Sequence, residues 1–398
     1  MGDLARVVVE GQGTFVRVRR PAYWLYVLVV GFGLVHIGET MADGLQQLST
    51  ALWIAIILNG ILAVGFVWIL ARMDLFEREP AAVRAAAFLW GGLAATSLAI
   101  IANNNLLALL TKEYGVAFTT KWGPAIAGPL NEEWLKTLGV VLLVFIVREH
   151  FNGALDGLIY GALIGLGFQV VENLTYAINY ALNNPNSDLA GSLSITLTRI
   201  VVAGPWSHPI YSGVAGLGIA FAVTSRRSAT LRYGAAVAGT IAAWAAHFLW
   251  NSPMPSWLPS ALTVFLSFGK GVLILVFFVV LYRYAVRREW HWFGEIMKGQ
   301  PAAVITADEL DQMRTLGTRK KARNAAVGVY GPNGKRLVGR LQRAQVELGE
   351  ALARAKRANV DPEFALDVIV ARTNVLSIRD ELDAAWTPGI RAVNNAPV

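Results

Sequence analysis

The stretch LDGLIYGALIGLGFQVVENLTYAINYA, residues 155–181, decides the class of fold. It exceeds the roughly 20 apolar residues that a helix needs to cross a bilayer. Asp156 and Glu172 are its only charged side chains. Because an ionisable group within a membrane span is costly, Glu172 is a functional candidate by its position alone. The stretch therefore predicts a transmembrane helix that carries a functional carboxylate.

Seven further stretches are also long and apolar enough to cross a bilayer, and the composition of the whole chain is that of a membrane protein. Of 398 residues, 55% are hydrophobic and 16% are charged, and the mean hydropathy is +0.47, which argues against an ordinary soluble enzyme. The predicted fold is all-α, a polytopic membrane protein with about eight transmembrane helices and a C-terminal soluble helical hairpin. The predicted spans are 22–38, 49–71, 83–110, 132–148, 155–181, 192–224, 229–250 and 259–286. The sixth is predicted to break at Gly204-Pro205 and His208-Pro209, because proline removes a backbone donor and disfavours helix before it.

Positive charge marks one side of these spans. The connections on that side carry Arg6, Arg17, Arg19, Arg20, Arg72, Arg78, Arg84, Arg148, Arg226, Arg227, Arg232, Arg283, Arg287 and Arg288. The connections 39–48, 182–191 and 251–258 contain no Lys or Arg. The positive-inside rule then predicts a multi-pass protein of the cell membrane with both termini in the cytoplasm. This pattern explains the formal net charge of +8, and no nucleic-acid partner is expected.

Three regions follow from this pattern: a cytoplasmic N-terminal arm over 1–21, a membrane domain over 22–287 and a cytoplasmic helical tail over 288–398. In the tail, Leu341, Leu348 and Leu352 recur at helical spacing. Tyr330-Gly331-Pro332-Asn333-Gly334 is typical of a turn, and Asp361-Pro362-Glu363 is typical of a helix start. We expect two helices that serve interaction or regulation through a cytoplasmic partner.

Polar side chains interrupt four of the predicted spans. They are Glu132, Glu133 and Lys136 in the fourth, Glu172 and Asn173 in the fifth, His208 in the sixth, and His247 and Asn251 in the seventh. Each has a structural explanation when taken alone, such as helix-terminal charge for the glutamate pair. With the predicted orientation, however, all four helices deliver these groups to the same extracytoplasmic depth. One shared site is therefore the favoured interpretation.

Carboxylates, imidazoles and an amide in a polar hollow favour peptide hydrolysis. A glutamate can deprotonate water, and Asn251 with one histidine can donate hydrogen bonds to the tetrahedral intermediate. Alternatively, His208, His247 and a glutamate are acceptable zinc ligands, so metal-dependent and metal-free schemes both stay open. The chain has no cysteine, which excludes thiolate chemistry. The rival function is a proton-coupled membrane transporter, which would also use intramembrane Glu and His.

Several motifs resemble the PrsW family of intramembrane proteases, which is related to the CAAX prenyl protease and bacteriocin-processing group. They are Glu132-Glu133-x-x-Lys136, Asp156-Gly157-Leu158-Ile159-Tyr160-Gly161, Phe168-x-x-x-Glu172-Asn173, His208-Pro209 and His247-x-x-Trp250-Asn251. The motifs stand in the family's order over about residues 127–251.

The resemblance implies that 22–287 is a membrane protease domain acting in regulated intramembrane proteolysis. It implies site-one cleavage of a membrane-anchored protein, such as an anti-sigma factor, near the extracytoplasmic side. Glu132 and Glu133 resemble the essential pair, and Glu132 with His208 and His247 is the candidate metal set. Glu172 and Asn251 match supporting polar groups, and Lys136, Asn173 and Phe168 complete the motifs. The family is labelled metallo-type while its relatives are described as glutamic-type, so metal dependence stays open.

Overall fold

Helices are the regular elements of the computed structural model, which describes residues 15–76 and 79–386. The all-α prediction is confirmed for this part of the chain. Residues 1–14, 77, 78 and 387–398 lie outside the described residues, and with them Arg6, Arg78 and most of the predicted arm over 1–21.

Within the part of the chain predicted to lie in the membrane, the described residues form nine α-helices. They are α1 (Pro21–Gln47), α2 (Ser49–Met73), α3 (Ala81–Tyr114), α4 (Val116–Val147), α5 (Ala154–Leu182), α6 (Asp188–Leu197), α7 (His208–Thr224), α8 (Ala229–Asn251) and α9 (Ser260–Met297). Among the described residues, six stretches are long and apolar enough to cross a membrane: α1, α2, α3, α5, α9 and the stretch from α6 through α7. The two other predicted spans, 132–148 and 229–250, correspond to α4 and α8.

Large apolar side chains cover the outer surfaces of several helices. Val35 on α1 is 61% exposed, Val64 on α2 is 71% exposed and Phe265 on α9 is 72% exposed. Such surfaces would be unfavourable in water and are suited to lipid, which also requires the backbone to be paired within helices. The protein is a multi-pass membrane protein.

Helix α4 differs from its predicted extent. It begins at Val116, well before residue 132, and contains Pro124 and Pro129. The prolines do not end the helix, because a helix satisfies most backbone groups in lipid and membrane helices tolerate proline. Glu132 and Glu133 consequently lie in the middle of a helix. A role as helix N-terminal charges is therefore excluded.

The break between α6 and α7 occurs where the prolines predicted it. Thr198–Ala203 forms a π-helical segment, Gly204–Trp206 forms a 3-10 turn, and α7 starts at His208 with Pro209 in its first turn. Breaks of this kind at membrane depth need protein or a cavity beside them. His208 is thereby held at the buried start of a new helix.

Helices α5 and α7 approach closely through glycine. A Cβ on Gly161 would collide with the carbonyl of Ser212, and a Cβ on Gly165 would collide with the carbonyl of His208. Small residues four apart are the usual means by which membrane helices bring their backbones together. Gly165 thus sets how near the start of α7, with its imidazole, lies to α5.

The described residues divide into two compact units, 15–74 with 79–285 and 75–76 with 286–386. The second unit contains the end of α9 and α10 (Ala307–Gln312), α11 (Leu316–Tyr330), α12 (Gly334–Arg357) and α13 (Leu366–Ala385). Helices α12 and α13 pack against each other, as the predicted hairpin requires, and α10 and α11 are additional to it. Leu341, Leu348 and Leu352 are buried on α12, and Gly331 has φ +70° in the turn before it.

The start of the last helix corrects a prediction. Helix α13 begins at Leu366 rather than at Asp361-Pro362-Glu363. Asp361 Oδ1 instead accepts the backbone N–H of Glu363 at 2.9 Å and stabilises a turn before the helix. An aspartate followed by proline favours both structures, so the sequence pattern alone placed the helix too early.

An ion pair between Arg379 and Glu309 stabilises the second unit. Arg379 donates to both carboxylate oxygens of Glu309, at 2.6 and 2.5 Å. Burial alone would raise the pKa of Glu309, but the hydrogen bonds and charge of Arg379, together with hydrogen bonds from the Thr306 N–H and Gln345, outweigh burial and hold that pKa below its ordinary value. The pair therefore stabilises the unit at neutral pH and loses this effect as the pH falls through the lowered pKa of Glu309.

Candidate active site

The centre of the site is a glutamate pair on α4. Glu132 is 4% exposed and Glu133 is 1% exposed, and the neighbouring Lys136 is fully buried. The Lys136 Nζ donates to Glu133 Oε1 at 2.6 Å and lies 3.6 Å from Glu132 Oε2. Their spacing of three and four residues places the ammonium beside both carboxylates on one helix face.

His208 connects this pair to α5. Its Nδ1 lies 2.9 Å from Lys136 Nζ, and its Nε2 lies 2.9 Å from Glu172 Oε2. Because an ammonium has no acceptor, His208 Nδ1 must accept and Nε2 must carry the proton. Phe168 forms the adjoining wall, with its ring 4.3 Å from Lys136 Nζ and 5.0 Å from the imidazole.

His247 on α8 has the opposite tautomer. Its Nδ1 donates to Glu133 Oε1 at 2.8 Å, and its Nε2 accepts from Asn251 Nδ2 at 3.1 Å. Asn251 Nδ2 also donates to the carbonyl of Pro124 at 3.0 Å. Both amide hydrogens of Asn251 are thus engaged. The expectation that Asn251 donates to the tetrahedral intermediate is not supported, and its contacts indicate that it orients His247.

Glu172 lies at the edge of the site and has a partner that the sequence reasoning missed. Arg199, in the π-helical segment, forms an ion pair with Glu172 Oε2 and donates from Nε to Asn173 Oδ1 at 2.6 Å. Asn173 Nδ2 in turn donates to Asn59 on α2 at 2.8 Å. Arg199 is the single charged residue of the predicted span 192–224, and this unusual position could have indicated its role.

Glu132 has a separate partner, also missed. Asn103 Nδ2 on α3 donates to Glu132 Oε1 at 3.1 Å, and Asn131 Nδ2 donates to Asn103 Oδ1 at 3.0 Å. The run Asn103-Asn104-Asn105 within a predicted span was the available signal. One carboxylate oxygen of Glu132 is therefore fixed, while Oε2 is buried and accepts no hydrogen bond from any described residue.

The donor set fits a divalent metal. Glu132, Glu133, His208 and His247 are buried, and one ligand atom from each lies within 4.8 Å of the others. Carboxylate oxygens and imidazole nitrogens are common zinc donors, and Glu132 Oε2 and Glu133 Oε2 are unpartnered within the described part of the chain. Lys136 Nζ contacts Glu133 Oε1 and His208 Nδ1 and lies 3.6 Å from Glu132 Oε2, so an ammonium and a metal would compete for the same side chains.

A cavity of about 80 Å³ adjoins the two imidazoles, large enough for water. It is lined by Pro124, Gln169, Glu172, Asn173, Tyr176, Arg199, Ala203, Ser207, His208, Tyr211, His247, Trp250 and Asn251. The site residues predicted from sequence thus lie in the cluster or at this cavity, except Lys136 and Phe168, which contact the cluster.

Comparison with known proteins agrees with the geometry. Residues 79–284 match the model of the PrsW family intramembrane metalloprotease. Protease PrsW of Clostridioides difficile (strain 630) is 30% identical over 149 residues, which cover 37% of this chain and 57% of that relative. No solved structure matches the chain significantly. Since the family model covers more than half of the chain and includes every residue of the buried cluster, the chain belongs to the PrsW family of intramembrane metalloproteases.

Proposed function

We propose that the protein is an intramembrane endopeptidase that hydrolyses a peptide bond of a membrane-anchored protein. The observation that carries the proposal is the buried Glu132 Oε2, which has no hydrogen-bond partner among the described residues and lies 3.8 and 4.0 Å from the two imidazoles. Among the described residues its carboxylate accepts one hydrogen bond, from the Asn103 amide to Oε1, and the Lys136 ammonium lies 3.6 Å from Oε2, so Oε2 is free to take a proton. Glu133, by contrast, is occupied by Lys136 and His247.

The reaction follows from these contacts. Glu132 Oε2 takes a proton from water as the water oxygen bonds to the substrate carbonyl carbon, and the carbonyl π electrons move to its oxygen. As the intermediate collapses, the C–N bond breaks and the leaving nitrogen takes the proton from Glu132. Lys136, Glu172 and Asn251 keep the two imidazoles in fixed tautomers throughout.

Zinc is part of the proposal as the metal that this donor set would take. With Glu132 acting as the base, Glu133 through its Oε2, His208 and His247 would hold it, and when bound it would supply Lewis-acid activation of water. His208 has the tautomer that is usual for a metal-binding imidazole, because its Nε2–H donates to Glu172 and its Nδ1 lone pair faces the cluster.

The substrate and its side of cleavage are proposed from charge and depth. The arginine pattern favours cytoplasmic termini, which places the cluster toward the extracytoplasmic side. The substrate would then be a single-span protein such as an anti-sigma factor, cleaved in a site-one step. A cytoplasmic partner is proposed for the unit that contains α10–α13.

The contacts of Asp156 disfavour the transporter alternative. A proton relay requires polar steps that continue toward the opposite face. Asp156 Oδ2 accepts the backbone N–H groups of Asn152 and Gly153, at 2.5 and 2.8 Å, and so caps the start of α5. Its contacts are those of a helix cap rather than of a relay step.

The test is cleavage of a co-expressed single-span substrate. Glu132→Gln keeps the size and the hydrogen bond from Asn103 but removes the base, so cleavage should fall at least about 100-fold while the protein still accumulates. Glu113→Gln, an exposed site at the end of α3, is the matched control and should retain full cleavage. Undiminished cleavage by Glu132→Gln would contradict the proposal.

A further inference from the structure

Tyr211 is a residue of the site that the reaction above leaves unused. It lies on α7 one turn after His208 and is fully buried. Its ring stacks on His247, with centroids 4.9 Å apart and planes at 16°, and meets His208 edge-on at 5.8 Å. Tyr211 therefore contacts both imidazoles of the cluster.

The hydroxyl of Tyr211 is unsatisfied. The hydroxyl oxygen is buried, yet it has no hydrogen-bond partner among the described residues. Burying such a group without a partner destabilises the fold. Other buried tyrosines differ, since Tyr26 donates to the carbonyl of Ala86 at 2.9 Å and Tyr160 donates to Glu79. A fold that retains this cost at the site is consistent with a functional donor.

The hydroxyl belongs to the environment of the reaction. Tyr211 lines the cavity beside His208 and His247, and the charged groups that act on its hydroxyl include Glu133, Glu172 and Glu132. Phenylalanine would fill the same volume without a polar atom. The tyrosine is thus the residue that adds a hydrogen-bond donor here.

The donors of the two imidazoles, of Asn251 and of Lys136 are engaged. The N–H of His208 points to Glu172, the N–H of His247 points to Glu133, and both amide hydrogens of Asn251 have acceptors. Lys136 donates to Glu133 and His208, with Glu132 as its next nearest acceptor. Arg199 also borders the cavity, but its contacts are with Glu172, Asn173 and Tyr176 rather than with the imidazoles.

We infer that the Tyr211 hydroxyl is the oxyanion donor of the site. This inference rests on the proposed peptidase function. As water bonds to the carbonyl carbon, the π electrons move to the carbonyl oxygen, and the Tyr211 O–H donates a hydrogen bond to that oxygen without giving up its proton. The bond strengthens as negative charge develops, so it favours the transition state over the bound substrate.

The experiment compares Tyr211→Phe with Tyr26→Phe in purified, reconstituted protein that cleaves a single-span substrate. Removing one oxyanion donor typically lowers kcat by about 100-fold or more, so Tyr211→Phe should show that loss with KM changed less than about threefold. Its thermal stability should be equal or higher, because the unsatisfied hydroxyl is gone. Tyr26→Phe breaks a buried hydrogen bond and should lose stability while keeping kcat.

Each outcome separates the inference from the proposed function. If Tyr211→Phe keeps the wild-type kcat while Glu132→Gln is inactive, the inference about Tyr211 is overturned, and the proposed peptidase function is still supported. Lower stability together with lower kcat in Tyr211→Phe would also overturn it, because that pattern belongs to a structural tyrosine. If Glu132→Gln cleaves as well as the wild type, the function itself fails.

Discussion

The two adjacent glutamates have different surroundings although they share one helix turn. Glu133 accepts from an ammonium and an imidazole through the same oxygen, Oε1, whereas Glu132 accepts one hydrogen bond from the described residues, that of the Asn103 amide, and lies 3.6 Å from the ammonium. Hydrogen bonds from charged donors stabilise a carboxylate more strongly than those from neutral donors. Their chemistry therefore differs through the partners on other helices, which the Glu-Glu motif alone does not reveal.

Lys136 gives the metal question a direct test. Its ammonium contacts Glu133 and His208, two of the four potential ligands, and repels any cation within about 4 Å by roughly 1–4 kcal/mol. Lys136→Met should therefore bind zinc about tenfold more tightly than the wild type, measured by titration of purified protein and by metal content. Lys121→Met, exposed near the start of α4, is the control.

Equal zinc affinity in the wild type and Lys136→Met would contradict competition between the ammonium and the metal. A strong chelator added to the cleavage assay provides a second measurement of the proposed zinc. Loss of cleavage that added zinc restores would support the metal, and unchanged cleavage would count against it.

The site residues that sequence reasoning found and missed differ in a physical way. Glu172 and His247 were identified because an ionisable group in an apolar span is costly wherever it points. Asn103 and Asn59 are neutral, and a lone asparagine in a span is as easily satisfied by its own helix as by a catalytic group. Asn59 does both, since it donates to the carbonyl of Ala55 and accepts from Asn173.

At the scale of helices, the approach of α5 and α7 determines where His208 lies. Gly165 packs directly against the His208 carbonyl, leaving no space for a side chain. Gly165→Val should therefore displace α7, destabilise the protein by about 1–3 kcal/mol and abolish cleavage. Gly65→Ala on α2, where a Cβ would have nothing within 4 Å, is the matched control and should change neither property.

The measurements are thermal unfolding in detergent and substrate cleavage in membranes. A Gly165→Val protein with wild-type stability and activity would show that the close contact is not needed. The glycine spacing was visible in the sequence, and glycines four apart indicate that another helix packs closely against that face. The spacing does not indicate which helix packs there.

Helix ends were harder to predict than helix positions. Hydropathy located the spans because the bilayer requires long apolar stretches, which are averages over many residues. The predicted start of α13 depended on a single proline, whereas the predicted span of α4 began at Glu132. Pro124 and Pro129 lie within α4 without ending it, and Pro362 lies in a turn before α13 rather than in its first turn.

For the molecule as a whole, the distribution of arginine predicts which side each connection faces. The natural absence of cysteine makes this simple to measure, since a single introduced cysteine is the only thiol. Asn186→Cys, between α5 and α6, should react with an impermeant maleimide in intact cells. Arg227→Cys, between α7 and α8, should react only after the membrane is permeabilised. The reverse pattern would refute the proposed orientation and the proposed side of cleavage.

The polar cluster has a consequence for the energy of the reaction in a medium of low dielectric constant. Glu132, Glu133 and Glu172 face two cations, Lys136 and Arg199, so three negative charges against two positive charges leave one excess negative charge. When Glu132 takes the proton of water, that excess charge moves to the oxygen bound to carbon, and the total does not change. The interior of the protein therefore only relocates a charge that it already holds, and no additional ion has to be formed within the bilayer.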